Sequence, residues 1–180
     1  GLPAGWRPAI GGWAGRCRPL WRTLSRLEVA WLMHAAAIVA WHAPPLYQRT
    51  LTSDLMHTLQ HSSFLLTALV FWWSVLAAAS LRGRHGAAIL SLFSTMVYTG
   101  GLGALLTLAR TPWYPAYGGA TLLWGLTPLE DQQLAGLIMW VPGGISYLLA
   151  TLWLVVAWFR ASEAGAARLE RPRPGRPALT

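Results

Sequence analysis

Five stretches of this chain carry no charged residue: 29–48, 55–81, 85–109, 111–129 and 132–159. Each approaches or exceeds the roughly 20 residues that an α-helix needs to cross a hydrocarbon core. Charged residues make up 11% of the 180, less than half of the roughly 25% usual in soluble domains. An ordinary soluble enzyme is excluded. The pattern is that of a polytopic membrane protein, all-α in class.

Not every run reads as a span. The stretch 111–129 contains three Pro and three Gly, too many breakers for a lipid-facing helix, and is expected to be a loop. The remaining runs predict a bundle of four transmembrane helices at about 27–43, 59–81, 87–108 and 134–159, with an extracytoplasmic loop over 109–131. Arginine supports this count. With four spans, segments 1–26, 82–86 and 160–180 share one side and hold twelve of the fourteen Arg, leaving Arg49 and Arg110 opposite. The excess of positive charge on cytoplasmic segments predicts that both termini are cytoplasmic. A fifth span would put the Arg-rich end outside.

The net charge of +8 does not point to nucleic acid, because the Arg residues sit at the ends of apolar runs and there is no Lys. Segment 1–26, with Trp6, Trp13 and Trp21 among its Arg residues, suits a cytoplasmic or interfacial headgroup layer. The Pro/Arg-rich stretch 160–180 is expected to be a disordered cytoplasmic tail. Cys17 is the single cysteine, which excludes an internal disulfide and a CxxC metal pair. No secretory signal pattern is present, and a start at Gly1 rather than Met leads to the expectation of a segment upstream. Gly100, Gly101 and Gly103 give the third span a small-residue face for close packing.

Ionisable groups near a membrane mark candidate chemistry, since each is costly there without a partner. His42 ends the first span in WHAPPLY, His57 and His61 open the second, and Glu130 and Asp131 open the fourth. All lie at the extracytoplasmic level, whereas His34 is deep and His85 cytoplasmic. His57 and His61, four residues apart, share a helix face and can close on one metal ion; the pair equally fits hydrogen-bonded packing. His42 precedes Ala43-Pro44-Pro45, a break that would hold it rigidly as a third ligand. Asp131 either supports the metal or opposes a helix dipole. Met139, about 12 Å of helix below Asp131, reads as a packing residue, as does Met56. Hydrogen bonding to a neighbouring helix is the expected fate of His34. Imidazole suits Cu, Zn and Fe, whereas thioether sulfur selects Cu(I). No activated nucleophile, phosphate loop or acid/base dyad appears, so an enzyme is not expected.

WHAPPLY (41–47), HTLQH followed by FLLTALVFWW (57–73), LGALLTLARTPWY (102–114) and above all DQQLAGLIMWVPGG (131–144) resemble the CtaG membrane family, bacterial assembly factors for caa-type cytochrome c oxidase. The resemblance covers about 27–159. It carries Trp41, His42, Pro44, Tyr47, His57, His61, Asp131, Gln132, Gly136, Met139, Trp140 and Pro142. It implies a non-enzymatic, multi-pass chaperone of the bacterial plasma (inner) membrane that helps to supply copper, as Cu(I), to the oxidase. The partners implied are oxidase subunits, the lipid bilayer and a copper donor protein, with no nucleic acid. Members of that family are longer, with a further His-rich motif in earlier helices. The chain then corresponds to the last spans of such a protein, or is a naturally short member.

The expected metal ligands are His42, His57, His61 and Asp131. Two other readings remain: a membrane b-type haem electron carrier, with His from two helices as axial ligands, and a metal-free scaffold for oxidase subunits.

Overall fold

The computed structural model describes residues 7–81 and 83–170. Among them are six α-helices and no strands: α1 (Arg7–Leu24), α2 (Leu27–His42), α3 (Pro44–Thr50), α4 (Asp54–Ser80), α5 (His85–Thr107) and α6 (Pro128–Glu170). Two 3₁₀ turns, Pro115–Tyr117 and Ala120–Trp124, lie between α5 and α6. The all-helical expectation holds. Helices α4, α5 and α6 are each long and apolar enough to span a membrane. At 16 residues, α2 is about 24 Å long, short of the roughly 30 Å hydrocarbon core. It qualifies together with Gly15–Leu24 of α1, across a 72° bend. The chain thus has three candidate spans, or four with the bent pair as one.

Local chemistry accounts for the helix ends. Ala43 is extended, as the residue before a proline must be, so α2 stops at His42 and Pro44–Pro45 start α3. The Ser53 hydroxyl accepts the Met56 N–H at 3.4 Å and caps α4. Gly83, at φ +85°, makes the tight turn into α5. Thr127 and Glu130 form a capping box on α6. The Glu130 carboxylate accepts the Thr127 N–H at 2.8 Å, and the Thr127 hydroxyl accepts the Glu130 N–H at 3.3 Å. Helix α6 therefore begins at Pro128, inside the expected loop, and runs to Glu170. Residues 160–170 of the expected tail are thus helical, whereas 171–180, like 1–6 of the N-terminal segment, lie outside the described residues.

Packing is carried by narrow stripes. The buried positions of α2 are Leu27, Ala30, His34 and Ile38; those of α5 are His85, Ala88, Leu92, Thr95, Thr99, Gly103 and Leu106. This three-and-four spacing puts one face of each helix inside. Large apolar side chains elsewhere point outward, Leu65, Leu66, Leu69 and Trp73 of α4 among them. A bilayer tolerates that exposure but supplies little apolar drive for helix association, which leaves close packing and hydrogen bonds to hold the bundle. The hydroxyls of Thr95, Thr99 and Thr107 on α5 each donate to a carbonyl one turn back. The exposed Glu28–Arg84 ion pair, 3.0 Å, ties α2 to the start of α5; such a pair contributes about 0–1 kcal/mol.

The tightest crossing is between α5 and α6. A Cβ built on Gly136 would lie 2.6 Å from Gly103 O and 2.7 Å from the Thr107 backbone N, and one on Gly103 would lie 2.8 Å from Trp140 Cβ. Around Gly100 and Gly101, by contrast, there is open space. Of the small-residue face expected from the sequence, Gly103 alone makes the close contact, and its partner is Gly136 of the DQQLAGLIMWVPGG block. Gly136→Ala must push two backbones apart and is expected to destabilise the bundle by about 1–3 kcal/mol. Gly100→Ala should leave it unchanged. Thermal unfolding in detergent, followed by circular dichroism, checks both.

Candidate functional site

A cavity of about 370 Å³ lies between α2, α4 and α6. Helix α2 presents His34, Ile38 and His42 to it, successive turns of one stripe. Phe64 and Ala68 come from α4, and Asp131, Gln132, Ala135 and Met139 from the first turns of α6. His42 ends α2 and Asp131 lies in the first turn of α6, whereas His34 and Met139 lie eight residues further into the same helices, about 12 Å by helical rise; these are the outer and inner tiers of the cavity.

The outer end is flanked by three tyrosines, Tyr47, Tyr114 and Tyr117. The Tyr47 and Tyr114 rings stack with centroids 4.1 Å apart, and the Tyr47 and Tyr117 hydroxyls are hydrogen-bonded at 2.7 Å. The Pro44–Pro45 break leaves the His42 carbonyl without a helical N–H, and the Tyr114 hydroxyl donates to it at 2.9 Å. Burial pushes the Tyr114 hydroxyl up to about 12, with the neighbouring Tyr117 adding to the effect. Tyr47 is raised further by burial, by its bond to Tyr117, and by the charges of Tyr117, Tyr114 and Asp131. Tyr47 and Tyr114 therefore hold their protons well above physiological pH.

Each cavity histidine has one ring nitrogen engaged. His42 Nδ1 lies 2.7 Å from the Ile38 carbonyl, which can only accept, so Nδ1 carries the proton and Nε2 is the free nitrogen. His34 Nδ1 lies 3.1 Å from the Thr67 hydroxyl, whose single proton goes to the Ser63 carbonyl at 2.7 Å. His34 Nδ1 therefore donates, and its Nε2 is left free in turn. Its ring stacks on Phe71, centroids 5.4 Å apart. The expected bond from His34 to a neighbouring helix is thus present.

The glutamines after Asp131 fasten the loop to α6. Gln132 Oε1 accepts the Trp113 N–H at 2.6 Å, and Gln133 Nε2 donates to the Ala109 carbonyl at 2.9 Å. The first bond fixes the orientation of the Gln132 amide, whose Nε2 is buried with no partner. A physical role emerges for the whole block: Gln132 and Gln133 pin the loop, Gly136 admits α5, and Asp131 and Met139 line the cavity.

The four expected ligands fall into two pairs. His42 and Asp131 line the cavity. His57 and His61 are exposed on the first turns of α4, with ring centroids 4.5 Å apart. Positions 57, 61, 64 and 68 follow one another on a single stripe, so the pair stands directly above cavity-lining Phe64 and Ala68. Among the described residues, no group of three or more His, Cys, Asp or Glu side chains is gathered to hold an ion. Glu130 caps its helix, Met56 is absent from the cavity wall, and His85 opens α5 at the opposite end. The tyrosine cluster and the Gln132 bond escaped sequence reasoning. WHAPPLY and ARTPWY each supply an aromatic, but nothing in either signals that the two meet.

A family model described as cytochrome c oxidase caa3 assembly factor matches residues 2–161. Neither a curated protein nor a solved structure shows significant similarity to the chain.

The tyrosine cluster has a pH signature. Folded Tyr114 keeps its proton above the ordinary phenol value of 10.0 and up to about 12. The unfolded chain thus releases protons first as pH rises through that window. The cluster's contribution to stability is whole below pH 10 and lost as pH climbs toward 12. Tyr114→Phe should unfold at lower temperature at neutral pH and show a smaller alkaline loss. Unfolding in detergent, with phenolate absorbance read alongside, measures both.

Proposed function

The chain belongs to the cytochrome c oxidase caa3 assembly factor family, and we propose that it serves oxidase assembly by binding copper at the extracytoplasmic end of its bundle and passing it on. Family membership implies a non-catalytic role, oxidase subunits as partners and a lipid bilayer as surroundings. The finer reading rests chiefly on the close, exposed His57–His61 pair, its rings tilted at 45°, set on the α4 stripe that leads to the cavity lined by His42 and Asp131. Imidazoles at this spacing suit Cu, Zn or Fe, and the apolar cavity with a thioether on its wall favours Cu(I). An ion in transit needs fewer ligands than a resident one, since it must also leave.

In this proposal both termini face the cytoplasm. Arg16, Arg18, Arg22, Arg26 and Arg84 lie towards one end of the bundle and the His pair towards the other. Copper arrives from a donor protein at the outer face and leaves to an oxidase subunit docked there. The separation of the four ligands into two pairs favours one competing reading, a metal-free scaffold.

Complementation separates the two. Cells lacking the gene are supplied with the native protein or with His57→Ala/His61→Ala, and oxidase activity and oxidase copper content are read in membranes. The expected outcome is a variant present at native level that leaves the oxidase severalfold short of copper, with excess copper in the medium restoring it. Full assembly by the variant would make the protein a scaffold.

A further inference from the structure

The inner tier of the cavity offers a donor set of its own. His34 is 5% exposed, and its Nδ1 proton is committed to Thr67, which leaves Nε2 as a neutral lone-pair donor. Such a bond at the far nitrogen is what orients imidazole ligands and sets their tautomer in metal sites. Met139 lines the same cavity from α6, eight residues into its helix from Asp131 as His34 is from His42. A neutral imidazole and a thioether, with Asp131 as the only carboxylate of the cavity and that one in the outer tier, make a poor site for Zn²⁺ or Mg²⁺, which need charged or more numerous ligands. They suit a soft monovalent cation, Cu(I) or Ag(I), whose desolvation in an apolar site is less costly than that of a divalent ion.

We propose that the cavity is an interior station for a soft monovalent cation, held between His34 Nε2 and Met139 Sδ and reached from the His57–His61 pair past His42 and Asp131. The identity of the cargo rests on the copper reading above; the station itself rests on the donor set. The ion enters and leaves as Cu(I), so no electron changes hands. Exposed imidazoles capture it at the mouth, the Asp131 carboxylate favours a cation crossing the outer tier, and the neutral pair below holds it away from water. His34 thereby gains a role beyond packing against α4, and Met139 one beyond filling space.

The test uses the detergent-purified protein under anaerobic conditions, titrated with Cu(I) buffered by a colorimetric chelator, with X-ray absorption at the copper edge to read neighbouring sulfur. The native protein, His57→Ala/His61→Ala, and that double variant with Met139→Leu are compared. Expected are one retained Cu(I) with a sulfur neighbour in the double variant, and loss of that sulfur with at least about 10-fold weaker binding on adding Met139→Leu. Circular dichroism confirms that the leucine variant keeps its helices, and the sulfur signal of the double variant is independent of it. If the native protein binds Cu(I) but the double variant binds none, the surface pair is the whole site and the interior station is wrong. Retained copper without sulfur, or indifferent to Met139→Leu, likewise overturns the station. No copper on the native protein overturns both the station and the copper reading.

Discussion

The meeting of α5 and α6 at Gly103 and Gly136 is the contact on which the cavity depends. In water, a bundle of this size would draw together by removing apolar surface from solvent. In lipid that drive is largely absent, and helices associate where their backbones can come close. Between Gly103 and Gly136 there is no room for even one methyl group. This contact sets the rotation of α6, and with it the face that carries Asp131, Gln132, Ala135 and Met139 toward α2 and α4. A different rotation would send Asp131 and Met139 toward lipid, where the carboxylate would be costly.

The outer end depends on a second constraint, the paired prolines after His42. They end α2 early, free a carbonyl, and turn the chain so that Tyr47 meets Tyr114 and Tyr117. Tyr114 returns the missing hydrogen bond to His42 O, and the Ile38 carbonyl fixes the ring of the same residue. A helix break that would be a defect in lipid becomes a rigid rim here. The Gln132 and Gln133 bonds do the same for the opposite side, holding the 109–113 strand of loop against α6.

Much of the fold was legible in order along the chain. Three of the four expected spans, the unsuitability of 111–129 as a helix across lipid and the break at Pro44–Pro45 all follow from local composition, whereas the expected first span, 27–43, forms a helix too short to cross alone and qualifies only together with part of α1. The family was legible as well, from DQQLAGLIMWVPGG above all. The site was legible only in part. His42 and Asp131 were expected together and do line one cavity, whereas His57 and His61 share a helix face as their spacing requires but stand outside its wall. Met139 was set aside as packing because a Met in an apolar run carries no signal of what lies opposite. The inner limit of α6 was missed too, because the helix continues through polar residues beyond the apolar run.

Charge and helix breakers together marked where this chain can cross a membrane, because the cost of a charge or of an unpaired backbone group in hydrocarbon arises residue by residue and is therefore visible in the sequence. Proline and histidine spacing likewise determined local breaks and the pairing of His57 with His61, both set within a turn or two of helix. Which side chains from different helices share a cavity was decided only by the tertiary structure. That depends on the rotation and depth of each helix against the next, and here both are set by contacts between residues far apart in the chain, Gly103 with Gly136 and Tyr114 with His42.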